Sequence, residues 1–419
     1  MKLKIISKEE YKSFAMKSPY ISIYQLPEWG ELKKITNWNY YLLGLYDKNN
    51  LVGVTMLLEK RMPFKKSLFY SPRGYLFDVS NYNLLKEFHN NIIEFVKKHN
   101  GFLFKIDPNV IYNIRDKEGN LVKTVGDKIY NNFINLKYKH IGWTENFETL
   151  QPRFLCRFKL SEDYDKTLNS FTKNTRKNIN KTLNNGVCIK NINSDDIELF
   201  TNLLKKSGSK NNFIIRPSYY YKKMYDLMNE YIKLYIVYID TDIYFNLIKK
   251  EIDSVNLELV NFYEQIKKIN VGNKVKKRED ELNNKLNKLN NELNYAKKLK
   301  EEQKIINIGT LMSVFIGNEG ITFMSGIDPL YKDFNPKYAF YNAHIIDSLK
   351  LKKEYVNFYG ISGNVDKNNP YYHIYEIKKG FNPEIVELIG EFDFIINPFY
   401  YYIYKLSLKF YRIIKKIRN

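Results

Sequence analysis

At 419 residues, with 44% hydrophobic and 16% aromatic side chains, the chain is long enough for two or three domains and too apolar for a disordered one. Lys and Arg outnumber Asp and Glu by 67 to 46, a formal charge of +21 that attracts polyanions such as nucleic acid. Two cysteines, Cys156 and Cys188, exclude a disulfide framework and suit a reducing compartment. The opening MKLKIISKEEYK has no apolar signal core, and no run approaches the ~20 apolar residues of a membrane span, so a cytoplasmic protein is expected.

In chain order, Tyr40–Leu45 and Leu51–Leu58 read as two strands around Asp47-Lys48-Asn49-Asn50, a hairpin signal. Leu84, Leu85, Phe88, Ile92, Ile93, Phe95 and Val96 space out a helix ending near Lys98, followed by the strand Phe102–Ile106 and Asp107-Pro108. The theme recurs: a helix over Asp163–Asn184, a strand over Gly186–Asn191, helices over Asp195–Ser207 and Ser218–Asn229, and a strand over Ile232–Asp240. Strands at Gly309–Ile316 and Ile321–Ser325, a helix over Pro336–Lys350 and a strand over Tyr355–Tyr359 complete an α/β pattern. No short-period repeat is present, and a duplication of one α/β unit stays open.

Between two of those strands lies a different pattern. Ile248, Ile252, Val255, Leu259, Phe262, Ile266 and Ile269 step 4-3-4-3-4-3, and Val275, Leu282, Leu286, Leu289, Leu293 and Ala296 keep a heptad. This narrow seam, with the turn Asn270-Val271-Gly272-Asn273 between its halves, predicts an antiparallel coiled-coil arm. Lys249, Lys250, Lys267, Lys268, Lys276 and Lys277 would favour contact with a polyanion along the arm, and six glutamates dilute that.

The five histidines are scattered without metal-ligand spacing, and no phosphate-cradling GxxxxGK[ST] or GxGxxG loop is present, which counts against a bound metal and a pyrophosphate-held cofactor. Lys33 and Lys34 fit a solvated helix end, Arg216-Pro217 fits a helix start, and Asp107 before Pro108 fits a strand cap. Lys173, Arg176, Lys177 and Lys181 share a helix face that is either simply wet or tracks phosphates. Ile403, Leu406, Phe410, Ile413, Ile414 and Ile417 form one helical face and Lys405, Lys409, Arg412 and Lys416 another. That suits either an anionic membrane surface met through residues 403–418 or a last helix docked on the core.

Nine segments in order bear on the readings of Lys33, Arg216 and Lys378, and only weakly on that of the Lys173–Lys181 helix face. They are Gln25–Lys33, Tyr70–Gly74, Lys105–Pro108, Gln151–Arg153, Phe171–Asn178 leading to Gly186-Val187, Arg216–Tyr220, Phe358–Gly363, Ile377–Phe381 and Ile389–Asp393. Together they resemble the Fem family of peptidoglycan interpeptide-bridge aminoacyltransferases, over about residues 20 to 405 and with the arm in place. The resemblance implies two acetyltransferase-like (GNAT-like) α/β domains: residues 1–150 plus 395–419, and residues 151–244 plus 304–394, with 245–303 as the arm. It implies transfer of a glycine, alanine or serine type residue from aminoacyl-tRNA, without a cofactor, to an amine of a peptidoglycan precursor. The acceptor would be lipid II or UDP-MurNAc-pentapeptide, met in the cytoplasm or at the inner membrane face. Two uses are then open for the arm, lying along tRNA, which its lysines favour, or pairing with a related transferase.

The family's phosphate-contacting lysine falls on Lys33, its arginine and tyrosine on Arg216 and Tyr220, and its transition-state lysine on Lys378. Arg73, in the Tyr70–Gly74 segment, joins the substrate-binding candidates. Asp107 is a candidate base for the attacking amine, although the leaving ribose hydroxyl could take that proton itself. Ile377 stands where the family has phenylalanine before the lysine, and Met324 where it has a tyrosine. Two other functions remain in view: a coenzyme-A-dependent N-acyltransferase and a non-catalytic tRNA-binding scaffold.

Overall fold

The computed structural model of the chain describes residues 1–147, 149–211, 215–267 and 272–418, the side chains of 209–211 and 411–418 excepted. Among the described residues sixteen strands form two sheets. The first contains β1 (Lys2–Ile5), β2 (Asn39–Asp47), β3 (Asn50–Met62), β4 (Lys66–Arg73), β5 (Gly101–Pro108), β16 (Phe392–Ile395) and β8 (Lys139–His140), in that spatial order. The second runs β10 (Val187–Ile192), β11 (Ile232–Asp240), β12 (Ile305–Ile316), β13 (Glu319–Ile327), β14 (Tyr355–Ile361), β9 (Phe154–Lys159), β15 (Glu384–Leu388), β6 (Ile111–Arg115) and β7 (Leu121–Thr124). Each sheet is mainly antiparallel with one parallel pair, β4 with β5 and β13 with β14.

The two units exchange strands. β6 and β7, before residue 151, extend the second sheet through β15, while Phe392–Phe394 of β16 already pair with β5 in the first. Buried charge fixes these crossings. Glu387 on β15 takes Arg153 at 2.5 Å and Arg115 at 2.9 Å, and Asp393 takes Lys105 at 2.5 Å. Such pairs are costly to break from one side, so they specify the exchange of strands. The helix expected over Asp163–Asn184 is two, Tyr164–Asn169 and Lys173–Leu183. Buried Phe171 anchors the break, and the Thr172 hydroxyl caps the second helix by accepting from the Thr175 N–H.

The two units also share a core. Tyr24, Leu26, Trp29 and Leu32 from the first half pack in one cluster with Phe200, Met224, Leu234 and Met312 from the second. The helix Pro27–Lys34 thereby lies against the helix Ser218–Met228.

The arm leaves the second sheet between neighbouring strands. β11 and β12 pair from Ile232 with Val314 down to Asp240 with Ile305, and the Thr241 hydroxyl bonds the Gln303 and Lys304 carbonyls at 3.0 Å. Its helices, Thr241–Ile266 and Asn273–Glu302, are about 39 and 45 Å long at ~1.5 Å per residue. Ile248, Ile252, Val255 and Leu259 are buried against Leu282, Leu289 and Ala296, as the seam requires. Cross-helix polar pairs, Tyr244 with Glu292 and Lys285 with Glu251, border it. Ile269, Asn270 and Val271 of the expected seam and turn lie outside the described residues.

Candidate functional site

The parallel pair of the second sheet comes apart. β13 and β14 are joined only from Glu319–Ile321 to Tyr355–Asn357. Past that point Thr322–Ile327 and Phe358–Gly360 diverge and line a cavity of about 340 Å³. A bulge in β14 helps: Asn357 faces Arg157 and Gly360 faces Leu155, so Phe358 and Tyr359 drop out of the ladder. Backbone groups released from a ladder need other partners.

Lys378 supplies one. It lies on the helix Tyr372–Lys379, three residues after buried Tyr375, and so points inward with it. Its ammonium donates to the Phe358 carbonyl at 2.7 Å and the Gly360 carbonyl at 3.1 Å. An ammonium has three donors, so one is left for the cavity it lines. Lys378 is only 6% exposed. Burial, with a smaller contribution from the charge of Lys337, pushes its pKa down to about 8. It is therefore cationic at neutral pH but poorly solvated, and its charge is felt strongly by anything entering.

Lys33 and Arg216 come together from separate units. Lys33 ends the helix Pro27–Lys34, with its ammonium 5.8 Å from the Trp29 ring centre. Burial, then the charges of Arg216 and Lys60, push it down to about 8. Arg216 lies 5.8 Å from the ring centre of buried Tyr220, and its backbone N–H donates to the Tyr221 hydroxyl at 3.1 Å. Neither cation has a carboxylate partner among the described residues. A buried lysine depressed by a neighbouring arginine marks a place for an anion. Ile215 and Tyr221, beside Arg216, line the same cavity as Lys378, so the pair adjoins its rim.

Asp107 and Arg73 lie elsewhere. Both are buried and paired at 3.5 Å, at the end of the closed β4–β5 ladder. Asp107 also accepts from the Tyr70 hydroxyl at 2.9 Å and the Arg73 N–H at 3.0 Å, and burial pushes it up to about 6 despite Arg73. Arg73 reaches the Pro152 carbonyl at 2.6 Å, pinning the linker between the units. Neither lines the cavity. Lys173, Lys177 and Lys181 are an exposed stripe at i, i+4, i+8, whereas Arg176 turns back to the Asn169 carbonyl at 3.1 Å. That helix starts where the Thr172 N–H bonds the Gly380 carbonyl at 3.0 Å, next to the helix bearing Lys378.

Sequence reasoning assigned no role to Lys337 or Tyr359. Lys337 follows Pro336 at a helix start and lines the cavity; only its Asn-Pro-Lys context hinted at an ordered N-terminus there. Tyr359, inside the Phe358–Gly363 segment, has φ +61° at the bulge. Its hydroxyl lies 2.5 Å from that of Tyr24 and donates to the Gln151 side chain at 3.2 Å, bolting the cavity wall to the first unit. Met324 lines the cavity as well.

Two mixed α/β units built on separate sheets, joined by a shared core and extended by a coiled-coil arm, carry one open cation-lined cleft. The profile of the FemAB family matches residues 6–409, and the chain belongs to that family. It is 26% identical over 423 residues to "Lipid II:glycine glycyltransferase" of Staphylococcus epidermidis, covering 96% of this chain and 95% of the relative. It is 26% identical over 411 residues to "Aminoacyltransferase FemA" of Staphylococcus aureus, covering 95% of this chain and 96% of that one. Among solved structures, that of FemX superposes with a TM-score of 0.77 at 23% identity, covering 96% of this chain and 99% of FemX.

Proposed function

We propose that the protein transfers an aminoacyl group from aminoacyl-tRNA to an amine on the peptide of a peptidoglycan precursor, extending the interpeptide bridge. The observation that carries this reading is Lys378, a partly desolvated ammonium with a spare donor on the wall of a cavity opened by diverging strands. The precursor carries a diphosphate, which suits Lys33 as a point charge and Arg216 as a planar fork steadied by Tyr220. In the reaction the acceptor nitrogen attacks the ester carbonyl carbon, and the carbonyl oxygen becomes an oxyanion to which Lys378 donates. The carbon–oxygen bond to the ribose then breaks, and the ribose oxygen takes the proton released by the amine. Asp107 and Arg73 position the cleft through the interdomain contacts rather than touching substrate.

The stripe Lys173, Lys177 and Lys181, next to the Lys378 helix, tracks the phosphates near the acceptor end of tRNA. The donated residue is of the glycine, alanine or serine type; glycine is the residue in the relatives' names. No helix among the described residues is long and apolar enough to cross a membrane. A lipid-linked acceptor is met instead at the inner membrane face, through peripheral contact by residues 403–418.

The test gives the purified chain glycyl-, alanyl- and seryl-tRNA with lipid-linked or nucleotide-linked precursor, and weighs the acceptor by mass spectrometry. One combination should add a single residue to the precursor amine. Hydrolysis of the ester without any mass gain on either precursor would contradict the reading.

A further inference from the structure

On the last helix, Pro398–Arg418, the large apolar side chains Phe399, Tyr402, Ile403 and Phe410 look away from the body. Its docked side is marked by Tyr401, whose hydroxyl donates to Asp393 at 3.1 Å, and Tyr404, whose ring meets Phe102 at 5.8 Å. Phe399, Tyr402, Ile403 and Phe410 lie opposite by helical spacing, and Phe399 and Phe410 are 67% and 63% exposed. The helix is thus docked on the core through Tyr401 and Tyr404, while Phe399, Tyr402, Ile403 and Phe410 on its other side stay exposed. In sequence Ile413, Ile414 and Ile417 continue the stripe, their side chains outside the described residues.

A second element comes up to the same stripe. The β3–β4 hairpin turns at Pro63–Lys66, closed by the Lys66 N–H to the Pro63 carbonyl, with Phe64 at φ +60° and Lys65 at φ +53°. Such a turn is built most cheaply from Asn-Gly. This chain instead spends its tip on an aromatic side chain 74% exposed and a lysine. The Phe64 ring lies 6.4 Å from Tyr400, which is 5.5 Å from Phe399, so hairpin and helix form one surface. Lys65, Lys66, Lys405 and Lys409 border it, and neither the tip Arg61–Lys66 nor the helix Pro398–Arg418 contains Asp or Glu.

We propose that the hairpin tip and the outward face of this helix form a single platform that lies on an anionic bilayer, with Phe64 inserted among the headgroups. Single-sign charge matches an anionic leaflet, and exposed aromatic rings at its level gain what a sugar–phosphate backbone does not offer. The platform deepens the reading of a membrane-borne acceptor and rests on it for its purpose, but its binding needs no acceptor.

The full chain is sedimented with phosphatidylcholine vesicles, with and without phosphatidylglycerol. It should bind the anionic vesicles and release with salt. Phe64→Ser should weaken that binding about tenfold or more, the scale of burying one large apolar side chain, and Phe64→Trp should keep it. Lys65→Ala with Lys409→Ala should weaken binding to a similar extent at ~1 kcal/mol per lysine. No binding by the wild type, Phe64→Ser binding undiminished, or the substitutions lowering affinity for tRNA instead would each overturn the platform. Transfer to a nucleotide-linked acceptor should survive all three variants, which checks the fold. Vesicle binding with no transfer to any precursor would count against the transferase reading alone.

Discussion

The two parallel strand pairs of this molecule occupy equivalent places in their sheets and have opposite fates. β4 and β5 stay paired from Ser67 with Gly101 to Arg73 with Pro108, and the seam ends in Tyr70, Arg73 and Asp107, bonded to one another. β13 and β14 separate after three pairs, and the space holds Lys378, Lys337 and the wall residue Tyr359. One seam is filled by the protein's own buried ion pair; the other leaves a lysine on the wall of an open cavity. The difference lies in a few residues. A strand-end carboxylate facing an arginine closes the first, while a bulge and an inward-pointing lysine open the second.

This contrast can be broken from either side. Asp107→Ala should leave the Arg73 guanidinium, the Arg73 N–H and the Tyr70 hydroxyl without their shared buried acceptor and destabilise the fold by about 3 kcal/mol, read as a lower urea midpoint. The pH dependence of transfer should stay that of the wild type, because Asp107 does not face the cavity. A changed pH profile would return it to the role of base. Smaller, and confined to binding, is the effect expected of the rim cations. Lys33→Ala or Arg216→Ala should each raise KM for the precursor about 10- to 100-fold, the range of a lost charge-assisted bond at ~1.5–3 kcal/mol. kcat should hardly move. An equal fall in kcat with unchanged KM would place them at the reacting atoms instead.

The coiled-coil arm was legible in the sequence almost residue by residue, because a two-in-seven seam has few other solutions; Ile248 to Leu259 and Leu282 to Ala296 pack as spaced. Most strands and helices of the α/β units were legible too, from local periodicity. What was not legible depended on distant partners. β6 and β7 sit in the second sheet because Arg115 meets Glu387, 272 residues away, and nothing in Ile111–Thr124 itself announces that. The break at Phe171 shows a buried aromatic and a threonine cap overriding a continuous helical pattern. At the site, Lys378 and Lys33 stood out only through resemblance, since a lysine's depressed pKa is a property of its surroundings. Tyr359 was hidden for another reason: a tyrosine at positive φ is a feature of the backbone, and its partner Tyr24 lies 335 residues upstream.

The central claim is that the opened cleft is where the chemistry happens, with Lys378 acting as a cation. Its ammonium is lowered to about 8, so the active charged form is full below that pH and is lost as pH rises through it. The deciding measurement is the pH profile of kcat under saturating substrates, for wild type and Lys378→Ala. The wild type should lose rate above about pH 8, in step with one ionisation. Lys378→Ala should lack that falling limb and run about 10²–10³ slower at pH 7, as expected for removal of one oxyanion donor. A variant with wild-type kcat, or one that keeps the same falling limb, would contradict the account.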